Sequence, residues 1–219
     1  QRLREAERSN VYDEYKDRSA DIVTGIVQRV EGRNVFVDIG RAEALLTATE
    51  QLPTEEYNYG DTLRACIIEV KNMMRGPQII LSRTHPNLLR KLFELQVPEI
   101  QEGVVEIKSI AREAGSRSKV AVYSSEERVD PIGACVGPHY MRVQAVVDEL
   151  AGEKIDIVEW SDDPATYIAN SLNPAKVISV AVNEAEKVSR VIVPDYQLSL
   201  AIGKEGQNAR LAAKLTGWK

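Results

Sequence analysis

The sequence is poor in the residues that build metal sites, disulfide scaffolds and many active sites. Its 219 residues include two cysteines, Cys66 and Cys135, and two histidines, His85 and His139. Each cysteine stands alone in an apolar string, which reads as a reduced, buried thiol and not as half of a disulfide or zinc site. A Ser-His-Asp arrangement would have to use one of the two histidines, and neither has a convincing setting. His85, between Thr84 and Pro86, reads as a linker residue. There is no Gly-x-x-x-x-Gly-Lys-Ser/Thr, Gly-x-Ser-x-Gly, His-Glu-x-x-His or Cys-x-x-Cys string. Asp162-Asp163 precede Pro164, the pattern of a helix cap and not of a metal site. These absences point away from an enzyme, and neither a metal nor a cofactor is expected.

Long apolar runs are also lacking. No stretch approaches the roughly 20 residues that span a bilayer. The start, Gln1 to Asp21, is charged throughout and does not read as a signal peptide. A cytoplasmic protein with no membrane partner is the expectation. Excess positive charge is missing as well: 33 acidic residues outnumber 28 basic ones, for a net charge of −5. That excludes a surface that is basic all round, so any nucleic-acid site must be a local patch.

What is present is concentrated between Leu198 and Leu215. Leu198, Ala201 and Ile202 precede a pair of glycines, and Leu211, Ala212 and Leu215 follow them. Those spacings predict two short helices sharing one buried side. Between them lies Gly203-Lys204-Glu205-Gly206. Glycine permits a tight turn and close approach of a ligand, and the second helix would aim its free N–H groups at the turn. A bare Gly-x-x-Gly also describes an ordinary helix-turn-helix corner. Lys204 in the turn, with Gln207, Asn208 and Arg210 just after it, favours a clamp on a sugar-phosphate backbone, as in the KH module. From Gly203 to Lys219 four basic residues (Lys204, Arg210, Lys214, Lys219) face one acidic residue, Glu205. Lys204 and Arg210 are expected to serve the RNA, and Lys214 and Lys219 to be solvated surface.

The chain in order reads as modules. Residues 1–20, rich in alternating charge, predict a solvated helical linker. Residues 21–84 alternate as five short strands, the arithmetic of an OB-fold barrel. Gly25-x-Val27, Val37-Asp-Ile-Gly40, Gly60-Asp61 and Leu81-Ser-Arg83 resemble the S1 domain of ribosomal and RNA-processing proteins. Phe36 stands where an S1 face carries an aromatic and reads equally as a core residue, while Thr47 stands where a histidine is expected. Residues 85–160 give an amphipathic helix (Asn87 to Pro98), two strands, a helix from about Met141 to Leu150 and a strand ending at Trp160. Residues 161–219 repeat the pattern: Ile107–Val122 aligns with Ile178–Val193, Ala134-Cys-Val-Gly137 with Leu200-Ala-Ile-Gly203, and Leu150–Lys154 with Leu215–Lys219. This is an internal duplication. In the second copy the last strand is expected to be truncated.

An S1 module followed by two KH modules resembles the bacterial NusA family of transcription termination/antitermination factors. Tyr12-Asp-Glu-Tyr15, Asp21 to Arg29, Asp130 to Gly137, Arg142-Val-Gln144 and Leu200 to Lys219 carry the resemblance most specifically. It implies an α+β multidomain chain, with a five-stranded S1-type OB barrel and two tandem KH domains of the bacterial (type II) topology fused into one RNA surface. It implies a non-catalytic factor on single-stranded nascent RNA at RNA polymerase, with other antitermination factors as partners, and an N-terminal polymerase-binding domain that precedes this sequence. Carried over residue by residue, the RNA contacts are Ile202, Gly203, Lys204, Glu205, Gly206, Gln207 and Arg210 in the second KH module. In the first they are Gly137, Pro138, His139 and Arg142. Tyr140 departs from the family, which has glycine there: either that loop clamps RNA less well, or the Tyr140 ring stacks on a base. The runner-up reading is the RNA-binding arm of an exoribonuclease-type processing enzyme, although such enzymes place KH before S1. A protein-interaction scaffold without RNA affinity is a third.

Overall fold

The alternation between residues 21 and 84 becomes five strands in the computed structural model, which describes residues 2–219. They are β1 (Ile22–Glu31), β2 (Asn34–Asp38), β3 (Glu43–Leu46), β4 (Thr62–Met73) and β5 (Gly76–Ser82). The sheet closes in the order β1-β2-β3-β5-β4, antiparallel except for the β3–β5 pair. Every second side chain points inward, so Val23, Val27, Val35, Val37, Leu46, Ile67, Ile79 and Leu81 fill the interior. Each contributes about 1.5–3 kcal/mol by leaving water. Register shifts in β1 after Val27 and in β4 after Ile67 bend those strands, as closure requires.

The first helix, α1 (Arg2–Lys16), is not solvated all round. Val11 packs on the barrel interior beside the buried Tyr15, whose hydroxyl donates to the Ile39 carbonyl at 3.3 Å. Helix α2 (Pro86–Gln96) buries Leu88, Leu89, Leu92 and Phe93. His85 Nδ1 accepts the N–H of Asn87 at its start (3.0 Å), which turns a presumed linker residue into a cap.

The chain divides into two units, one ending at Lys91 and the other beginning at Leu92. In the second, α3 (Pro98–Gln101) precedes β6 (Val105–Glu113) and β7 (Arg117–Ser124). Next come α4 (Pro131–Val136), α5 (Met141–Glu149) and β8 (Lys154–Glu159). Helix α4, a separate turn-and-a-half ahead of the expected helix, is started by Pro131 and capped by the Asp130 side chain. The sheet runs β6-β7-β8, with β8 parallel to β7. Helix α6 (Pro164–Ser171), capped by Asp163, leads to the hairpin β9 (Ser179–Asn183) and β10 (Val188–Ile192), then α7 (Leu198–Ile202) and α8 (Gln207–Thr216). The second sheet holds two strands; Lys219 pairs with Lys187 and Ser189 beside β10, as Lys154 pairs with Ser116 at the start of β8.

Leu211 and Leu215 of α8 pack with Tyr167 against Ala111, Ala121 and Val158 on the first sheet. The outer sheet face of one copy is therefore the floor on which the other copy's helix lies. Burial of this shared apolar surface fixes how the two glycine-bearing corners are placed.

Candidate nucleic-acid interface

Helix α7 ends at Gly203, whose φ of 79° and ψ of 169° turn the chain away from the helix. Its N–H still bonds the Ser199 carbonyl at 2.9 Å. A Cβ at Gly203 would lie 2.7 Å from the Asn208 backbone nitrogen, so only glycine fits. Glu205 (φ 56°) and Gly206 (φ 74°) are left-handed, and Gly206 is the N-cap of α8. No side chain caps that end, which leaves first-turn N–H groups directed at the loop. Lys204 and Glu205 are exposed. The loop is neither in a core nor covered by the other module.

The first module repeats this corner nearly angle for angle. Gly137 has φ 76° and ψ 171°, His139 φ 52° and ψ 31°, and Tyr140 φ 62° and ψ 15°. The corresponding values for Gly203, Glu205 and Gly206 are 79° and 169°, 56° and 25°, and 74° and 12°. Tyr140 thus keeps the turn that glycine would give, at a cost of about 1–2 kcal/mol for a left-handed L-residue. Pro138, His139 and Tyr140 are exposed. Arg142 is not: it lies against Gly137, where a Cβ would sit 2.5 Å from its Cγ. Its guanidinium donates to Glu99 (2.9 Å) and to the Ala134 carbonyl (2.7 Å). It braces the loop from behind, much as Asn208 does in the second copy by donating to the Ala201 and Leu172 carbonyls.

Polar links tie the second loop to the first module. Gln207 Nε2 donates to Ser116 Oγ at 2.8 Å. Arg210 donates to Glu113 (2.8 Å) and to the Glu205 carbonyl (3.0 Å), so it fixes the loop and the neighbouring hairpin together. That hairpin is held from within. Glu153, fully buried, receives the Arg112 fork, the Gly115 N–H (2.7 Å) and the Ser118 hydroxyl (3.1 Å). Asp156 accepts two bonds from Arg117 and one from the buried Lys119, which also donates to the Asn173 carbonyl. Burial opposes ionisation of Asp156, yet these cations hold its carboxyl below the usual carboxylate range.

A cleft of about 350 Å³ opens between the Gly203 loop and this hairpin. Lys204, Arg117 and Lys154 bring positive charge to it, and Ser116, Gln207 and Asn208 also line it. Sequence reading missed Ser116, Arg117 and Lys154. Their signal was present in the repeat, because Lys154 aligns with Lys219 and the hairpin with the Glu184–Lys187 turn, but only the packing of α8 on the first sheet brings them to Gly203. Leu198 and Ile202, expected on a buried side, are 52% and 47% exposed. They line a second, apolar cleft of about 250 Å³ with Val191 and Val193. In the first copy β8 lies against α4 and α5; in the second, Trp218 and Lys219 line this cleft beside α7 and α8.

On the barrel, Phe36 is not in the core. It is half-buried on the outer face, with the Arg29 guanidinium 4.0 Å from its ring centroid. Arg29 also pairs with Glu31 and Glu43, so one face of the ring is already occupied. Both thiols are buried, and burial pushes Cys66 up to about 11 and Cys135 up to about 12, which keeps them protonated and inert. Among the described residues no helix is long and apolar enough to cross a membrane.

Family comparison matches residues 16–83 to the S1 RNA binding domain, residues 83–160 to the NusA-like first KH domain and residues 164–219 to the NusA-like second KH domain. A protein of Halalkalibacterium halodurans named transcription termination/antitermination protein NusA is 62% identical over 219 residues, which is 100% of this chain and 57% of that protein. The Bacillus subtilis protein of the same name is 60% identical, again over 100% of the chain and 59% of that protein. A Mycobacterium tuberculosis NusA is 53% identical over 228 residues, 100% of the chain and 66% of that protein. The chain therefore spans a little under two thirds of the length of these relatives. With that identity sustained from end to end, and an S1 domain followed by both NusA-type KH domains, the chain belongs to the NusA family.

Proposed function

We propose that this chain is the RNA-gripping part of a cytoplasmic transcription termination/antitermination factor. It binds single-stranded nascent RNA as it leaves RNA polymerase, and so influences pausing, termination and antitermination. It performs no chemistry on the RNA. Polymerase itself and other antitermination factors are the protein partners of the whole protein. The modules are an S1 barrel of the OB type over residues 21–84 and two KH modules of type II topology over 85–160 and 161–219, with residues 1–20 as a helical linker.

The observation that carries this reading is the Gly203–Gly206 corner. It is exposed, its helix N-terminus lacks a side-chain cap, and among the described residues the exposed Lys204 beside it forms no ion pair. Such a corner offers main-chain donors and a cation to one phosphate group. Gly203 and Gly206 let the RNA backbone approach. Arg210 and Gln207 set the loop against the first module, so the strand continues past Arg117 and Lys154 towards the His139 loop. Gly137 and Arg142 shape the first module's corner.

The test is binding of an unstructured RNA by the chain across a salt series. Affinity falls as salt rises, and Gly203→Asp or Lys204→Asp abolishes most of it. Binding indifferent to both changes would favour a protein scaffold. RNA shortened during incubation with the pure protein would favour a processing enzyme.

A further inference from the structure

The two corners have the same backbone but not the same chemistry. In the second, Gly206 has open space where a Cβ would stand, with nothing within 4 Å. In the first, Tyr140 occupies that position in the same left-handed conformation. Its side chain therefore leaves the loop on the open side, away from the protein. Tyr140 is 70% exposed. Among the described residues its side chain makes no hydrogen bond, ring contact or cation–π contact. So the fold holds a bulky residue in a strained conformation without using its ring for packing. Residues kept in such conformations cluster where a ligand is met.

The first corner offers less to a phosphate, although its helix N-terminus is uncapped like the other. Pro138 stands where the second loop has Lys204, and a proline has no N–H to donate. The guanidinium of Arg142 is spent on Glu99 and the Ala134 carbonyl. The Tyr140 ring keeps a ribose-phosphate backbone from close approach. What the corner does offer is an exposed aromatic side chain next in sequence to the exposed His139. Bases stack on such side chains whatever their sequence.

We infer that Tyr140 is a base-stacking residue, and that the two corners divide the work on one RNA strand. The Gly203–Gly206 corner holds the sugar-phosphate backbone, and the Gly137–Tyr140 corner holds a base by its face. This rests on the RNA reading above. It makes the second corner's share of the affinity sensitive to salt and the first corner's share nearly indifferent to it.

The experiment measures binding of a fluorescein-labelled, unstructured 12-nucleotide RNA to the whole chain over a salt series. Wild type is compared with Tyr140→Phe, Tyr140→Gly and Lys204→Ala. Tyr140→Phe keeps the ring and binds as wild type. Tyr140→Gly restores a Gly-x-x-Gly sequence and relieves the strained residue, yet it weakens binding about five- to hundred-fold with the salt slope unchanged. Lys204→Ala weakens binding and flattens the slope. If Tyr140→Gly binds as tightly as wild type or more tightly, the tyrosine is only an obstruction and the inference is wrong. If wild type does not bind, or Lys204→Ala changes nothing, the RNA reading of the second corner fails instead. Raised thermal stability of Tyr140→Gly shows that a loss of affinity is not a loss of fold.

Discussion

Two glycines that look alike in the sequence differ in what they are for. Gly203 is required by its own protein: its φ is 79°, and a Cβ would press on the Asn208 backbone. Gly206 has φ 74° but empty space beside it. Gly203→Ala is therefore expected to lower stability by about 2–3 kcal/mol, against about 1 kcal/mol for Gly206→Ala. Thermal or urea denaturation of the two variants checks the order; equal losses would mean that Asn208 yields. The Gly-x-x-Gly pattern and its lysine could be read from the chain, because glycine spacing and flanking apolar residues are local facts. The bracing by Asn208 and Arg142 could not, since it depends on where the residue five positions on turns back. The role of Arg142 shows this best: the family resemblance carried it over as an RNA contact, and the structure places its guanidinium on Glu99 and the Ala134 carbonyl.

At the scale of elements, alternation located the five barrel strands and both KH hairpins within a few residues, although β7 is buried on both faces. Helix α1 is solvated over residues 2–10, as its charge implied, but its C-terminal end docks on the barrel. Its charges outnumber its apolar residues, and Val11 and Tyr15, one turn apart, are a short stripe that only a docked helix would need. Tyr15→Ala should reduce stability by about 3–5 kcal/mol, the usual penalty for emptying a buried aromatic site. A loss under 1 kcal/mol would return α1 to the status of a free linker. The hairpin that faces the Gly203 loop depends on a buried ion pair. Glu153→Ala would remove the buried carboxylate that faces the Arg112 charge and is expected to cost about 3–5 kcal/mol. The double change Arg112→Met with Glu153→Leu should recover only part of this, because the Gly115 N–H and Ser118 hydroxyl still lose their acceptor. Full recovery would show that the pair, and not the network, sets the cost.

For the second unit as a whole, the two KH copies share a core, so acid acts on both at once. The Asp156 carboxyl lies below its ordinary value in the folded state, held by Arg117 and Lys119. A depressed carboxylate stabilises the fold above its unfolded pKa of about 3.9, and that stabilisation is lost as pH falls through the lower, folded value. Denaturation midpoints of wild type and Asp156→Asn should therefore differ at pH 7 and converge below about pH 4. A constant gap across that range would remove Asp156 from the acid response. The duplication was legible from aligned phrases, but not the way one copy rests on the other. The contact surface of Ala111, Ala121 and Val158 with Leu211 and Leu215 is made of residues that would look equally at home in two separate cores.

The most direct test of the central claim is to map photocrosslinks from a single-stranded RNA carrying 4-thiouridine at every position onto the whole chain. Crosslinks at Tyr140, along the Ser116–Arg117 hairpin and at Lys204 to Gln207 are the predicted result, as one strand passing both corners. Crosslinks confined to the barrel, or none at the Lys204 corner, would contradict it.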